Sequence, residues 1–322
     1  MPVNEASFQT IIDQLRLLID RHYPSLSHAN IRHLVSGMHD NYLIQHGENK
    51  FILRLYHHHW RTPEEIHYEL ALLNHLSEYN CPVAAPVTTA EGDTCFTLGT
   101  TDGARQAALF AFIEGMSPQR NMTSQQAYAL GRELAGIHLA SADFTTAYRR
   151  QRLDTDYLLY QSVDVILPYL PEMQQHSLKN IADAIAADLP ELPMSPPCLT
   201  ICHGDPNPGN LLFDASGTLH LIDFDQCGPG WRMFDIAKFL AAVHQHDELA
   251  GIKQACVDGY SSVSKPNTRE IAALPLLAQI AAIWVAAIQI YNRPLTAVQL
   301  ADTARWQQRL DVISNLPGLL AG

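Results

Sequence analysis

The chain has 322 residues, of which 47% are apolar, and a formal net charge of −12. That length suffices for one large core or two moderate ones, and the acidic balance excludes a nucleic-acid partner, since a phosphate backbone is met by clustered Lys and Arg. The six Cys residues, at 81, 95, 198, 202, 227 and 256, have no Cys-x-x-Cys spacing and form no zinc-like block with His; they read as buried thiols in a reducing compartment.

The first residues lack a basic region followed by an apolar run, so no secretory leader is expected and the expected location is cytoplasmic. Phe8, Ile11, Ile12, Leu15 and Leu18 instead give an amphipathic helix. Strand patterns follow at 31–36, 41–46 and 50–56. His57-His-His59 reads as a solvated loop, because three adjacent side chains do not converge on one metal. Thr62 as N-cap, Pro63 and Glu65 open a helix with a capping box, and Asn80-Cys-Pro82 ends it. Two more strands lie near 95–99 and 106–112.

Beyond Glu114-Gly-Met-Ser-Pro118 the pattern is helical, with helices expected at 124–140, 172–187, 235–246, 250–261, 268–291 and 297–313. Thr123 with Gln126, and Thr296 with Gln299, mark two of the starts. The run from Ile271 to Ile290 has no charged residue and is long enough to span a bilayer. Pro275, Gln279, Gln289, many Ala residues and the lack of a flanking basic cluster argue for a buried core helix and no membrane partner. The expected division is 1–113, a small lobe of five strands and a helix, and 114–322, a larger helical lobe.

The densest chemistry lies at Ile201-Cys-His-Gly-Asp-Pro-Asn-Pro-Gly-Asn210 and Leu221-Ile-Asp-Phe-Asp225. Gly204, Pro206, Pro208 and Gly209 force an irregular loop after a short strand. Leu211–Phe213 and Leu219–Ile222 read as two strands joined by the turn Asp214-Ala-Ser-Gly217. That hairpin brings Asn210 and Asp223 side by side at its open end. Phosphoryl transfer from ATP uses such a set: one carboxylate to orient and deprotonate a hydroxyl, an Asn and a second Asp to hold Mg2+. Here these are Asp205, Asn210 and Asp223.

His203-Gly-Asp205 with Asn210, then Ile222-Asp-Phe-Asp225, resembles the aminoglycoside phosphotransferase and choline kinase superfamily. The likeness extends to Leu130–His138, to Gly228–Ala237 with its Asp235, and to Ala107–Met116, which is similar to the strand and hinge of type II homoserine kinases. Phe51–Tyr56 and Cys81–Pro86 resemble the amino lobe of those enzymes and of the bacterial stress-response kinases. The resemblance implies an α+β, bilobal protein-kinase-like fold: a small antiparallel-sheet N-lobe, a larger mainly helical C-lobe, and ATP with Mg2+ in the cleft. It makes Asp205 the catalytic aspartate and Asn210 and Asp223 the metal ligands. His203 and Asp235 become scaffold of the catalytic loop. It places the nucleotide at Arg54, paired with Glu69, at Gly37 in the turn Ser36–Asn41, and at the hinge backbone of Ala111 and Ile113. Arg54 stands where the family usually has a Lys, with a larger and forked head.

The acceptor implied is a small hydroxyl compound: a homoserine-type amino alcohol first, a choline-like alcohol or an aminoglycoside otherwise. Asp225, Arg232, Trp284 and Tyr291 are the acceptor contacts expected, aromatic faces for an ammonium and Arg232 or Arg293 for a carboxylate. A Ser/Thr protein kinase of the stress-response type and a non-catalytic nucleotide-binding regulator are the alternatives.

Overall fold

Side chains alternate between the two faces of a strand, so one face can be buried throughout. Tyr42 and Ile44, and Leu53 and Leu55, obey that rule and are fully buried. The computed structural model describes residues 5–57, 59–100, 103–118, 121–292 and 302–320. It divides into two compact units, Met1–Ser77 with Val83–Glu114 and Thr146–Arg149, and Glu78–Pro82 with Gly115–Thr145 and Arg150–Gly322.

The first unit holds α1 (Glu5–His22), β1 (Asn30–Ser36), β2 (His39–His46), β3 (Asn49–Tyr56), α2 (Pro63–Glu78), β4 (Phe96–Thr100) and β5 (Gly103–Ala111). The strands form one sheet in the order β1-β2-β3-β5-β4, with every neighbouring pair antiparallel. Leu15 and Ile19 of α1 pack on its apolar face with Tyr42, Leu53, Phe96 and Leu109. The expected capping box opens α2: the Thr62 amide donates to Glu65 Oε2 at 3.0 Å and the Glu65 amide to Thr62 Oγ1 at 3.3 Å. β5 begins earlier than expected, because the β4–β5 pairing continues to Thr100 and Gly103.

The second unit carries α3 (Ser124–Ala140), α4 (Gln161–Ile166), α5 (Glu172–Asp188), β6 (Leu199–Cys202), β7 (Leu211–Phe213), β8 (Leu219–Leu221), β9 (Gly228–Trp231), α6 (Met233–Ala242), α7 (Leu249–Ser261), α8 (Thr268–Asn292) and α9 (Thr303–Leu320). Thr123 and Gln126 cap α3 reciprocally. α3 and α7 cross at two glycines: a Cβ on Gly131 would overlap the Cys256 carbonyl oxygen, and one on Gly259 the Tyr128 carbonyl oxygen. α6 stops at Ala242, short of the expected 246, because Val243 leaves the helical region (φ −106°, ψ 15°).

α8 is the uncharged run singled out in the sequence. Its hydropathy and length meet the requirement for crossing a membrane, yet 67% of its apolar window is buried within the protein. Leu277, Ala278, Ala281 and Ile283 are at most 1% exposed, as in a core helix. The expected start at Thr296 and Gln299 lies outside the described residues. α9 buries Trp306, Leu310, Ile313 and Leu316, and Gln279 Nε2 of α8 donates to the Ile313 carbonyl at 2.9 Å.

Candidate active site

The loop after β6 is held from below by one buried carboxylate. β6 pairs with β9, placing Cys202 opposite Gly228. Asp235, in the first turn of α6, then accepts the amides of the next two residues: His203 N to Oδ2 at 2.7 Å and Gly204 N to Oδ1 at 2.8 Å. His138 Nε2 lies 3.0 Å from the same Oδ2, and His138 Nδ1 lies 2.8 Å from the Tyr260 hydroxyl. Burial alone pushes the Asp235 carboxyl up, but His138 and the amide donors outweigh it and hold the group below the usual carboxylate range. Gly204 is required in this turn: its φ is +85°, and a Cβ would overlap the Gln226 carbonyl oxygen.

His138, Cys202 and Asp235 bring ligand-type atoms within 4.8 Å of one another. They form a scaffold: Asp235 is filled by the loop amides and His138 as above, and burial pushes the Cys202 thiol well up, away from the thiolate a metal requires.

His203 ties the loop to the neighbouring hairpin. Its Nδ1 accepts the Asp205 amide at 3.1 Å, and its Nε2 donates to the Ile222 carbonyl at 3.1 Å. Those partners assign the neutral Nε2–H tautomer. Burial lowers the imidazole pKa, in agreement with that assignment. Both ring nitrogens of His203 are thus committed to the backbone.

Asp205 sits above this base. Its Oδ1 is 2.9 Å from Lys238 Nζ. Asn210 Nδ2 donates to the Asp205 carbonyl at 2.9 Å, and Asn210 Nδ2 and Gln226 Nε2 both lie 3.4 Å from Oδ2. The hairpin β7–β8 pairs Leu211 with Leu221. One step further the Ile222 amide donates to the Asn210 carbonyl at 3.0 Å, which makes Asn210 the neighbour of the Ile222–Asp223 corner. The far end is closed by Asp214, whose Oδ1 accepts the amides of Ser216 and Thr218. Hydrogen bonds from Ser216 and His220 hold its carboxyl near a pKa of about 2.

Asp223 itself is left-handed, with φ +67° and ψ 65°, a conformation costing a non-glycine residue on the order of 1 kcal/mol or more. The hairpin holds that strain where a carboxylate is presented beside Asn210. The Asp223 carboxylate and the oxygen of the Asn210 amide, whose NH2 is turned to Asp205, are both oxygen donors. That chemistry fits a hard divalent cation such as Mg2+.

In the first unit, Arg54 of β3 and Glu69 of α2 do meet, at 3.1 Å, and the Tyr56 hydroxyl donates to Glu69 at 3.2 Å. Glu69 is 0% exposed. Gly37 lies in the β1–β2 turn, its amide on the His39 carbonyl. The Ala111 amide is committed to the Ala85 carbonyl at 2.9 Å.

Two expected acceptor contacts have partners within the fold. Arg232 is buried in a bidentate pair with Glu270, at 2.6 and 2.8 Å, and bonds Ser264 as well; its guanidinium is spent inside the fold. Trp284 is 3% exposed, with Phe234 and Tyr157 against it and Lys238 Nζ 5.5 Å from its ring centroid. The cation over this aromatic face is the protein's own. Asp225 is buried and Tyr291 is exposed; Arg293 lies outside the described residues. Sequence reasoning missed Lys238 and Gln226. The available signal for Lys238 was a single Lys in the otherwise apolar run after Asp235.

Residues 30–274 match the Phosphotransferase enzyme family. The chain belongs to this family. Among the relatives of this phosphotransferase, an uncharacterized protein of Synechocystis sp., sll1119, is 35% identical over 93% of the chain and 83% of its own length. A homoserine kinase of Brucella anthropi is 29% identical over 78% of the chain and 76% of its length. Among solved structures, a microcompartment-associated aminopropanol kinase superposes with a TM-score of 0.78 at 23% identity, covering 96% of this chain and 95% of that one. The fold is protein-kinase-like, and the phosphotransferase is a kinase.

Proposed function

We propose that this kinase transfers the γ-phosphoryl group of ATP, with Mg2+, to the hydroxyl of a small amino alcohol of the homoserine type. The observation that carries this reading is the convergence of Asp205, Asn210 and the left-handed Asp223 on one loop and hairpin, clamped by His203 and Asp235. The homoserine kinase likeness across three quarters of the chain supports the acceptor class.

Asp205 receives the acceptor hydroxyl, orients its oxygen and takes its proton. Asn210 and Asp223 would hold Mg2+, which would supply positive charge to offset that on the phosphates and the transferring group. His203 and Asp235 fix the loop and exchange no proton with the acceptor, because their polar atoms are already bonded to backbone amides and carbonyls. Within the first unit by itself, Arg54, steadied by Glu69, would be a phosphate contact, with Gly37 in the β1–β2 turn as a further one. The backbone of Ile113 and the Ala111 carbonyl meet the adenine edge.

The test is Mg2+-dependent ADP release against homoserine, aminopropanol, choline, an aminoglycoside and a generic protein. Turnover with homoserine or aminopropanol is expected, and Asp205→Asn should lower kcat by on the order of 10²- to 10⁴-fold. Phosphate transfer to protein alone, or ADP release indifferent to Asp205→Asn, would overturn the proposal.

A further inference from the structure

Lys238 is an anomaly in its own helix. Residues Met233 to Leu240 of α6 are all buried, and Lys238 is the only basic side chain among them. An ammonium taken out of water is costly, and a buried ion pair as a whole is often no more stable than apolar groups of the same volume. The Lys is accounted for by its partner. Nζ is 2.9 Å from Oδ1 of Asp205, with the two side chains 5% and 15% exposed. The Trp284 ring, 5.5 Å from Nζ, restricts where the ammonium can go.

The two oxygens of Asp205 are thereby made unequal. Oδ1 faces a full positive charge at ion-pair distance. Oδ2 has only the long approaches of Asn210 and Gln226, at 3.4 Å each. We propose that Lys238 is a positioning residue for phosphoryl transfer: it fixes Oδ1 and leaves Oδ2 as the oxygen that takes the acceptor proton. This rests on the phosphotransfer reading of Asp205.

The step balances without further reagents. The acceptor O–H bond breaks, its proton goes to Asp205 Oδ2 and its electron pair forms the new O–P bond. The bond from the γ-phosphorus to the bridging oxygen breaks, and its electron pair leaves with ADP. Asp205 is neutral after the proton arrives while Lys238 keeps its charge. An ammonium matched by a carboxylate in the ground state becomes unmatched once that carboxylate is protonated, so its attraction for charge on the reacting groups is strongest at that stage.

The experiment compares wild type with Lys238→Met and Lys238→Arg, each first shown to be folded by near-UV circular dichroism, with Lys238→Gln as the second neutral variant should the Met form not fold. Binding of Mg·ADP, and of Mg·ADP with aluminium fluoride and whichever of homoserine or aminopropanol turns over, as a mimic of the transferring phosphoryl group and its acceptor, is measured by calorimetry. The neutral variant should bind Mg·ADP within about twofold of wild type and the fluoride complex about tenfold to a hundredfold more weakly. Lys238→Arg should recover part of that loss. With an active acceptor, kcat should fall while the ATP KM stays. Equal weakening of both complexes would make Lys238 a structural residue, and unchanged binding of both would also overturn the proposal. Wild type that binds no Mg·ADP would overturn the phosphotransfer reading itself, a result distinct from either.

Discussion

Glu69 shows how little freedom one buried charge has. It is 0% exposed and accepts from both Arg54 and Tyr56. Removing Arg54 takes the ion-pair partner from this buried carboxylate, and an uncompensated buried charge costs about 3–5 kcal/mol. Arg54→Ala should therefore lower the melting temperature sharply, and Arg54→Ala with Glu69→Ala should recover part of the loss. Arg54→Lys keeps the charge on a single-point donor and should be the milder change in stability. If the single and double Ala variants melt alike, the pair does not hold the carboxylate as described. The same residue marks a limit of sequence reading. The pairing was implied by the family resemblance, whereas the hydroxyl of Tyr56 was not, because its reach across to α2 depends on packing. Asp205, Asn210 and Asp223 were legible because one short loop and one hairpin place them. Lys238, Gln226, and the occupied states of Arg232 and Trp284 were not, because each depends on a partner from another element.

At the scale of elements, the α3–α7 crossing is set by glycine. Gly131 and Gly259 each face a backbone carbonyl of the other helix with no room for a Cβ. Gly136, in the same helix as Gly131, has nothing within 4 Å of the place a Cβ would take. Helix propensity alone favours Gly→Ala by about 1 kcal/mol at either site. Packing reverses the sign at one of them. Gly131→Ala should destabilise by roughly 1–3 kcal/mol through overpacking, while Gly136→Ala should be neutral or slightly stabilising. Chemical denaturation of the two variants checks this, and a stabilised Gly131→Ala would mean that the helices are free to separate. Local capping explains why helix starts were read well: Thr62 with Glu65 and Thr123 with Gln126 each sit within one turn. The end of α6 has no such marker, since Val243 continues the apolar run.

For the whole molecule, the buried titratable groups predict acid lability with a defined sign. Burial lowers the His203 pKa against the pull of Asp235, Asp205 and Asp225. The unfolded chain takes up this proton near pH 6.5, and the folded chain only at lower pH. The stabilisation is thus complete above about pH 6.5 and is lost as pH falls towards the folded value, with a slope of at most about 1.4 kcal/mol per pH unit for one group. Asp235 and Glu270 act in the same direction at lower pH. Burial raises each, but His138 and the loop amides for Asp235, and Arg232 and the Asn267 amide for Glu270, bring the folded values below the ordinary carboxylate range. Their stabilisation is present above the unfolded carboxylate pKa and is lost as pH falls through the folded one. The net charge of −12 works against this trend, because acid relieves self-repulsion. Comparison of wild type with His203→Asn cancels that background, since both carry the same surface. The wild-type melting temperature should fall more steeply than the variant's between about pH 7 and pH 5.5, whatever their absolute values. Parallel curves would mean that His203 is protonated in the folded protein, and the Nδ1 acceptor that holds the Asp205 amide would be lost with it.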